Sequence, residues 1–220
     1  MVKICKYFFI KNPILVIDCL DTFYGKWEVN EKPLDLTKYN CKYWITDEID
    51  ASAYEFVDKN IFSPIIPKFY QCDIKRLFLY DQVVSFNDLS LLISSAQIIH
   101  LNNVIVKKGD SDIPLEDIIA IAVNAKSVEV YRPTISPKTM KELLRIPHFA
   151  TLDNFTLNYV SEVFDIDAFY VYMKKNQHTK FYLKFDSQIS DAYKNRLKTI
   201  IDEILETEEL DYKPPFIMFF

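Results

Sequence analysis

Five short segments of this 220-residue chain each carry two apolar residues spaced by two. The pairs are Leu77/Leu79, Ile99/Leu101, Val128/Val130, Phe155/Leu157 and Phe181/Leu183. Side chains alternate across a strand, so both members of a pair lie on one strand face. Between the segments the period becomes helical. Phe86, Leu89, Leu92 and Ile93 share a helix face, as do Leu115, Ile118, Ile119 and Ala122. Met140, Leu143 and Leu144 make a shorter face, and Ile166, Phe169, Tyr170 and Met173 the next. Tyr193, Leu197, Ile200, Ile201, Ile204 and Leu205 make the longest. Start signals agree with this. Ser85 with Asp88 reads as a capping box in its acidic form, and Asp165 and Ser190 read as caps. Ser136-Pro137 reads as N-cap and first helical residue, Pro114 opens the second helix, and Pro147 stops the third.

Strands joined through helices over short turns run parallel. The first apolar residues of successive pairs are about 22, 29, 27 and 26 residues apart, close to the length of leucine-rich repeats. The expected fold class is therefore α/β: a leucine-rich-repeat-like solenoid of strand–helix units with a parallel sheet. Helices cover one side of the sheet, and the strands present a bare concave face on the other. Residues 61–210 form this body. Residues 1–60 form an N-terminal strand-rich cap or a degenerate repeat, with 1–40 as an antiparallel cap. Within it, Ile4–Ile10 and Ile14–Cys19 read as strands turned at Asn12-Pro13, and Trp27–Val29 and Cys41–Ile45 as further strands. Ile49–Asp58 and Ser63–Tyr70 read as short helices. Residues 211–220 are a C-terminal tail, either docked on the last unit or free.

Several chemistries are disfavoured by the residues. Gly25 and Gly109 are the only glycines, which removes every glycine-rich phosphate cradle. Cys5, Cys19, Cys41 and Cys72 form no C-x-x-C pair, and His100, His148 and His178 lie far from them, so no zinc pattern appears. They read as free thiols of a reducing intracellular compartment, cytoplasmic or nuclear. Asp110-Ser111-Asp112 with Glu116-Asp117 lacks the calcium-loop pattern and reads as a solvated loop. The net charge of −5, with basic residues only in short pairs, points away from nucleic acid. The apolar start is broken by Lys11, Asn12 and Pro13, which argues against a signal or membrane span. No nucleophile motif, metal or cofactor motif is visible, so the chain does not read as an enzyme.

What remains is the bare strand face. The residues alternating with the core pairs are Arg76, Phe78, Tyr80, His100, Asn102, Glu129, Tyr131, Asn154, Thr156, Asn158, Lys180, Tyr182 and Lys184. Phe78 reads as an exposed apolar group, His100 as a lone surface contact, and His148 and His178 as solvated. Tyr and Arg clustered on one face point to protein binding, unless residues 1–60 or the tail cover that face.

The stretch from Lys75 to Glu206 resembles nematode F-box-associated proteins with the FTH-type, leucine-rich-repeat-like region. The resemblance rests on Leu77–Asp81, Val84–Leu89, Leu92–Ser95, Ile113–Ile118 and Phe164-Asp165-Ile166, with a helix ending in Lys174-Lys175-Asn176. It implies substrate recognition for ubiquitin ligases, with ligase subunits among the protein partners. No Leu-Pro-led F-box pattern is visible in residues 1–60. The asparagine that ladders ordinary leucine-rich repeats is also missing, with Gln82, Val104, Pro133, Val160 and Asp186 in its place. Two other readings stay open: a small enzyme with a site at the strand ends, and a vestigial structural family member.

Overall fold

The two-residue spacing does form a ladder, and the ladder is longer than the sequence pattern. In a computed structural model of the chain, residues 13–220 are described. Their strands are β1 (Ile14–Phe23), β2 (Lys26–Val29), β3 (Lys32–Pro33), β4 (Lys42–Ser52), β5 (Phe69–Cys72), β6 (Arg76–Tyr80) and β7 (Val83–Ser85). There follow β8 (Ile98–Asn102), β9 (Ile105–Lys108), β10 (Ser111–Asp112), β11 (Ser127–Tyr131), β12 (Asn154–Val160), β13 (Lys180–Phe185) and β14 (Phe216–Met218). The helices are α1 (Phe86–Ile93), α2 (Leu115–Ile121), α3 (Thr139–Leu143), α4 (Ile166–Met173) and α5 (Asp191–Glu206). One large sheet runs β14-β13-β12-β11-β8-β6-β4-β1-β2-β3, with β5 also on β4. It is parallel except at the β1–β2 and β2–β3 pairs.

Leu20, Ile49, Leu77, Ile99, Val128, Phe155 and Phe181 stand opposite one another along successive strands. None is more than 1% exposed. Burying each such side chain contributes about 1.5–3 kcal/mol. Helix faces close this side of the sheet: Leu89 and Leu92 of α1, Leu115 and Ile119 of α2, Phe169 and Met173 of α4, and Leu197 and Ile200 of α5 are all buried. Ser85, Asp165 and Ser190 cap their helices by accepting from the amides of Asp88, Ala168 and Tyr193. The fold is thus mixed α/β with a large, mostly parallel sheet.

The front of the chain departs from the sequence reading. Ile49–Asp58 is not a helix: β4 continues through Ser52, because Ile49 and Ala51 alternate inward and the strand pairs with both β1 and β6. Ser63–Tyr70 yields a 3-10 turn at Ile66–Lys68 followed by β5, since Pro67 removes an amide a longer helix needs. β1 is a further parallel rung rather than part of an antiparallel cap, and only β2 and β3 reverse at the edge. Ile4–Ile10 and Asn12 lie outside the described residues. The tail docks, as β14 adds parallel to β13.

The strands not anticipated include β3, β5 and β14 and, beyond these, three that pair with one another. β7, β9 and β10 form a second small sheet, signalled by Val83-Val84 and Ile105-Val106 just beyond each strand turn. Helix α3 starts at Thr139, later than Ser136-Pro137 implies; Ser136 Oγ accepts from the Lys138 amide in the turn before it. Leu144 and Leu205 are exposed at helix ends. Gln82, at the position of the absent asparagine ladder, is buried and donates through Nε2 to the Ala51 carbonyl at 2.7 Å.

Candidate binding face

Parallel register places the alternate residues in three rows. Arg76 aligns with Ile98, Ser127, Asn154 and Lys180. Phe78 aligns with His100, Glu129, Thr156 and Tyr182, and Tyr80 with Asn102, Tyr131, Asn158 and Lys184. All the residues singled out by spacing therefore share one sheet face. None of them is buried, while their strand neighbours are. The described N-terminal strands and the tail join the sheet at its ends.

His100 stands at the centre. Its ring lies 5.3 Å from that of Tyr80, 5.4 Å from Tyr131 and 6.2 Å from Phe78. Its Nδ1 lies 3.1 Å from Glu129 Oε2, and Asn158 Nδ2 donates to Glu129 Oε1 at 3.0 Å. His100 is thus not a lone contact, and its side chain is only 17% exposed. Phe78 is half-buried rather than exposed, with the His100 ring beside it. His148 is not simply solvated either: its Nε2 lies 2.7 Å from the Ile119 carbonyl. His178 remains exposed, beside Asp153.

Period two misses two groups. The first is Tyr159, which follows Asn158 at a register shift in β12 and has φ 58°. Its ring receives Lys184 Nζ at 4.8 Å and the Arg132 guanidinium at 5.5 Å. Asp81, Asn103 and Arg132 occupy the same place in their units, two residues beyond the second core residue, with φ 53°, 55° and 52°. These four line a polar cleft of about 360 Å³ with Asn102 and Tyr131. Asp and Asn tolerate the left-handed region, whereas a Tyr or an Arg there is strained. Tyr159→Asn is expected to raise stability by about 0.5–1 kcal/mol, read as a higher urea midpoint at unchanged slope.

The second group is carboxylate. Asp21 and Asp50 stand opposite each other on β1 and β4, with Glu48 on the same face. Burial, then the neighbouring carboxylates, hold both aspartates above the usual carboxylate range. Arg76 pairs with Glu48 and with Asp47, the latter at 2.7 Å, and donates to neither Asp21 nor Asp50. The signal for this group was Ile49 and Ala51 spaced by two, one unit length before Leu77. A carboxyl whose folded pKa is raised holds its proton longer in the folded chain. Stability therefore falls as pH rises from the ordinary value of 3.8 through the raised one. Asp50→Asn should raise Tm at pH 7, with the gain vanishing in acid below that ordinary value.

A further cavity lies at the front of the chain. This cavity, of about 600 Å³, is lined by Trp27, Leu34, Leu36, Phe56, Ile61 and Ile65 among others. Its Asp35 is held below the usual carboxylate range by the hydroxyl and amide of Thr37, an exposed turn contact. Among the described residues no group of three His, Cys, Asp or Glu could hold a metal ion. Among them, too, no helix is long and apolar enough to cross a membrane. Compared with protein-family models, curated proteins and solved structures, the chain matches none.

Proposed function

We propose that the chain is a protein-interaction module, a divergent leucine-rich-repeat-like array that docks a partner on its bare strand face. The observation that carries this is the cluster of Phe78, Tyr80, His100 and Tyr131. The rings of Phe78, Tyr80 and Tyr131, from the strands on either side, each lie about 5–6 Å from the His100 ring between them, on a face that keeps partial exposure. Aromatic anchors of this kind concentrate binding energy when a partner excludes water around them. The narrower proposal, substrate recognition for a ubiquitin ligase, rests on the resemblance to F-box-associated proteins.

The test is affinity purification of the tagged full-length chain beside a variant with Phe78, Tyr80 and Tyr131 all changed to Ala. These side chains lie opposite the core, so the variant should keep its circular dichroism spectrum. Partners captured by the wild type and lost from the folded variant support the module, and ligase subunits among them support the narrower role. Equal capture by both, or a variant that unfolds, removes the face from the argument.

A further inference from the structure

The charges on the strand face are matched in its middle and unmatched at its two ends. In the middle, Glu129 is held between His100 and Asn158, and Arg76 between Asp47 and Glu48. At one end Asp21 and Asp50 stand opposite each other, half-buried, and their carboxylates make no hydrogen bond or ion pair among the described residues. At the other end Arg132 and Lys184 converge on the Tyr159 ring and have no carboxylate partner among the described residues. Resting on the interaction-module reading, we infer that the partner is an extended, zwitterionic peptide segment lying across the strands. One of its Lys or Arg residues meets Asp21 and Asp50, apolar residues cover the central rings, and an Asp or Glu enters between Arg132 and Lys184.

The geometry fixes the spacing. From β4 to β12 the sheet order is β4-β6-β8-β11-β12. Four strand spacings come to about 19 Å, which an extended chain covers in about six residues. The pairing is favourable at both ends. A cation relieves the repulsion between two carboxylates already partly removed from water, and an anion joins two cations that share one ring. Backbone strain is an independent sign that the cationic end is retained for use. Arg132 and Tyr159 both adopt left-handed conformations that Asn or Gly would hold at lower cost.

The experiment is selection of a random displayed-peptide library on the full-length chain, followed by affinity measurement of the winning peptides. Selected sequences should carry a basic and an acidic residue about six positions apart, with apolar or aromatic residues between. Asp50→Asn should weaken a winning peptide about five- to tenfold, and so should Lys184→Gln. Neutralising the peptide's own basic residue should cost little more against Asp50→Asn, because that contact is already gone. Asp50→Lys should bind the peptide whose basic residue is changed to Glu better than the original. Winning peptides without this charge spacing, or with unchanged affinity for the neutralised variants, overturn the inference and leave the module standing. A selection that returns no binder overturns both.

Discussion

Phe155→Ala is expected to remove about 3–5 kcal/mol of folding stability, a large part of what a domain usually has. Phe155 is fully buried in β12, between Val128 and Phe181 in the ladder. Its ring meets Phe149 edge-on at 5.1 Å and Phe181 at 6.4 Å. Deleting it leaves a cavity that backbones tied on both sides by ladder hydrogen bonds cannot collapse. Phe155→Leu, which keeps most of the apolar volume, should cost about half as much. Urea unfolding measures this with two probes. Circular dichroism reports the whole chain, while Trp27 and Trp44 report only β2 and β4 at the far side of the sheet. If β1–β4 belong to the same cooperative unit, both transitions move together. A tryptophan transition that stays in place would show the first strands unfolding on their own.

How much was legible follows from where the period is clean. Leu77/Leu79 through Phe181/Leu183 gave five rungs because each pair is interrupted and followed by a polar or aromatic residue, with a helical run further on. The face residues then followed without any further signal, since alternation in register leaves them nowhere else to point. Ile49/Ala51 has the same spacing. It was hidden because a hairpin and a 3-10 turn, not helices, make the connections before and after β4. Local pattern calls a helix from Ile49 onward, and sheet pairing on both sides overrides it. Asp50 was missed for that reason, and Asp21 because β1 runs on to Phe23, past the Cys19 end read from the sequence. Tyr159 was missed for another: a bulge inserts it between Asn158 and Val160, and period-two counting fails at a bulge. The second sheet escaped because its strands are two to four residues long.

Asn176→Ala is expected to cost about 3 kcal/mol, although it removes only a small polar side chain from a turn. Asn176 follows α4 and is nearly buried. Its Oδ1 accepts from the amides of His178 and Thr179, each at 2.9 Å. Its Nδ2 donates to Tyr172 Oη at 2.9 Å and to Thr179 Oγ1 at 3.0 Å. Thr179 is fully buried, so its amide has no access to water once the acceptor is gone. Each unsatisfied buried group costs about 1–3 kcal/mol, and the lost turn also frees the entry to β13. Asn176→Asp separates the two halves of this bond set. The carboxylate keeps both amide bonds, and the hydroxyls of Tyr172 and Thr179 can rotate to donate to it, so the loss should be well below that of Ala. Urea midpoints for the two variants, with amide exchange at Thr179, check the ordering. Equal losses would show that the donations to the hydroxyls, rather than the turn amides, carry the stability. The same turn ends the helix whose closing Lys174-Lys175-Asn176 carried part of the family resemblance. A residue that looks like a soft motif in sequence is here the clamp that sets where β13 begins, and with it the register of Tyr182 and Lys184 on the binding face.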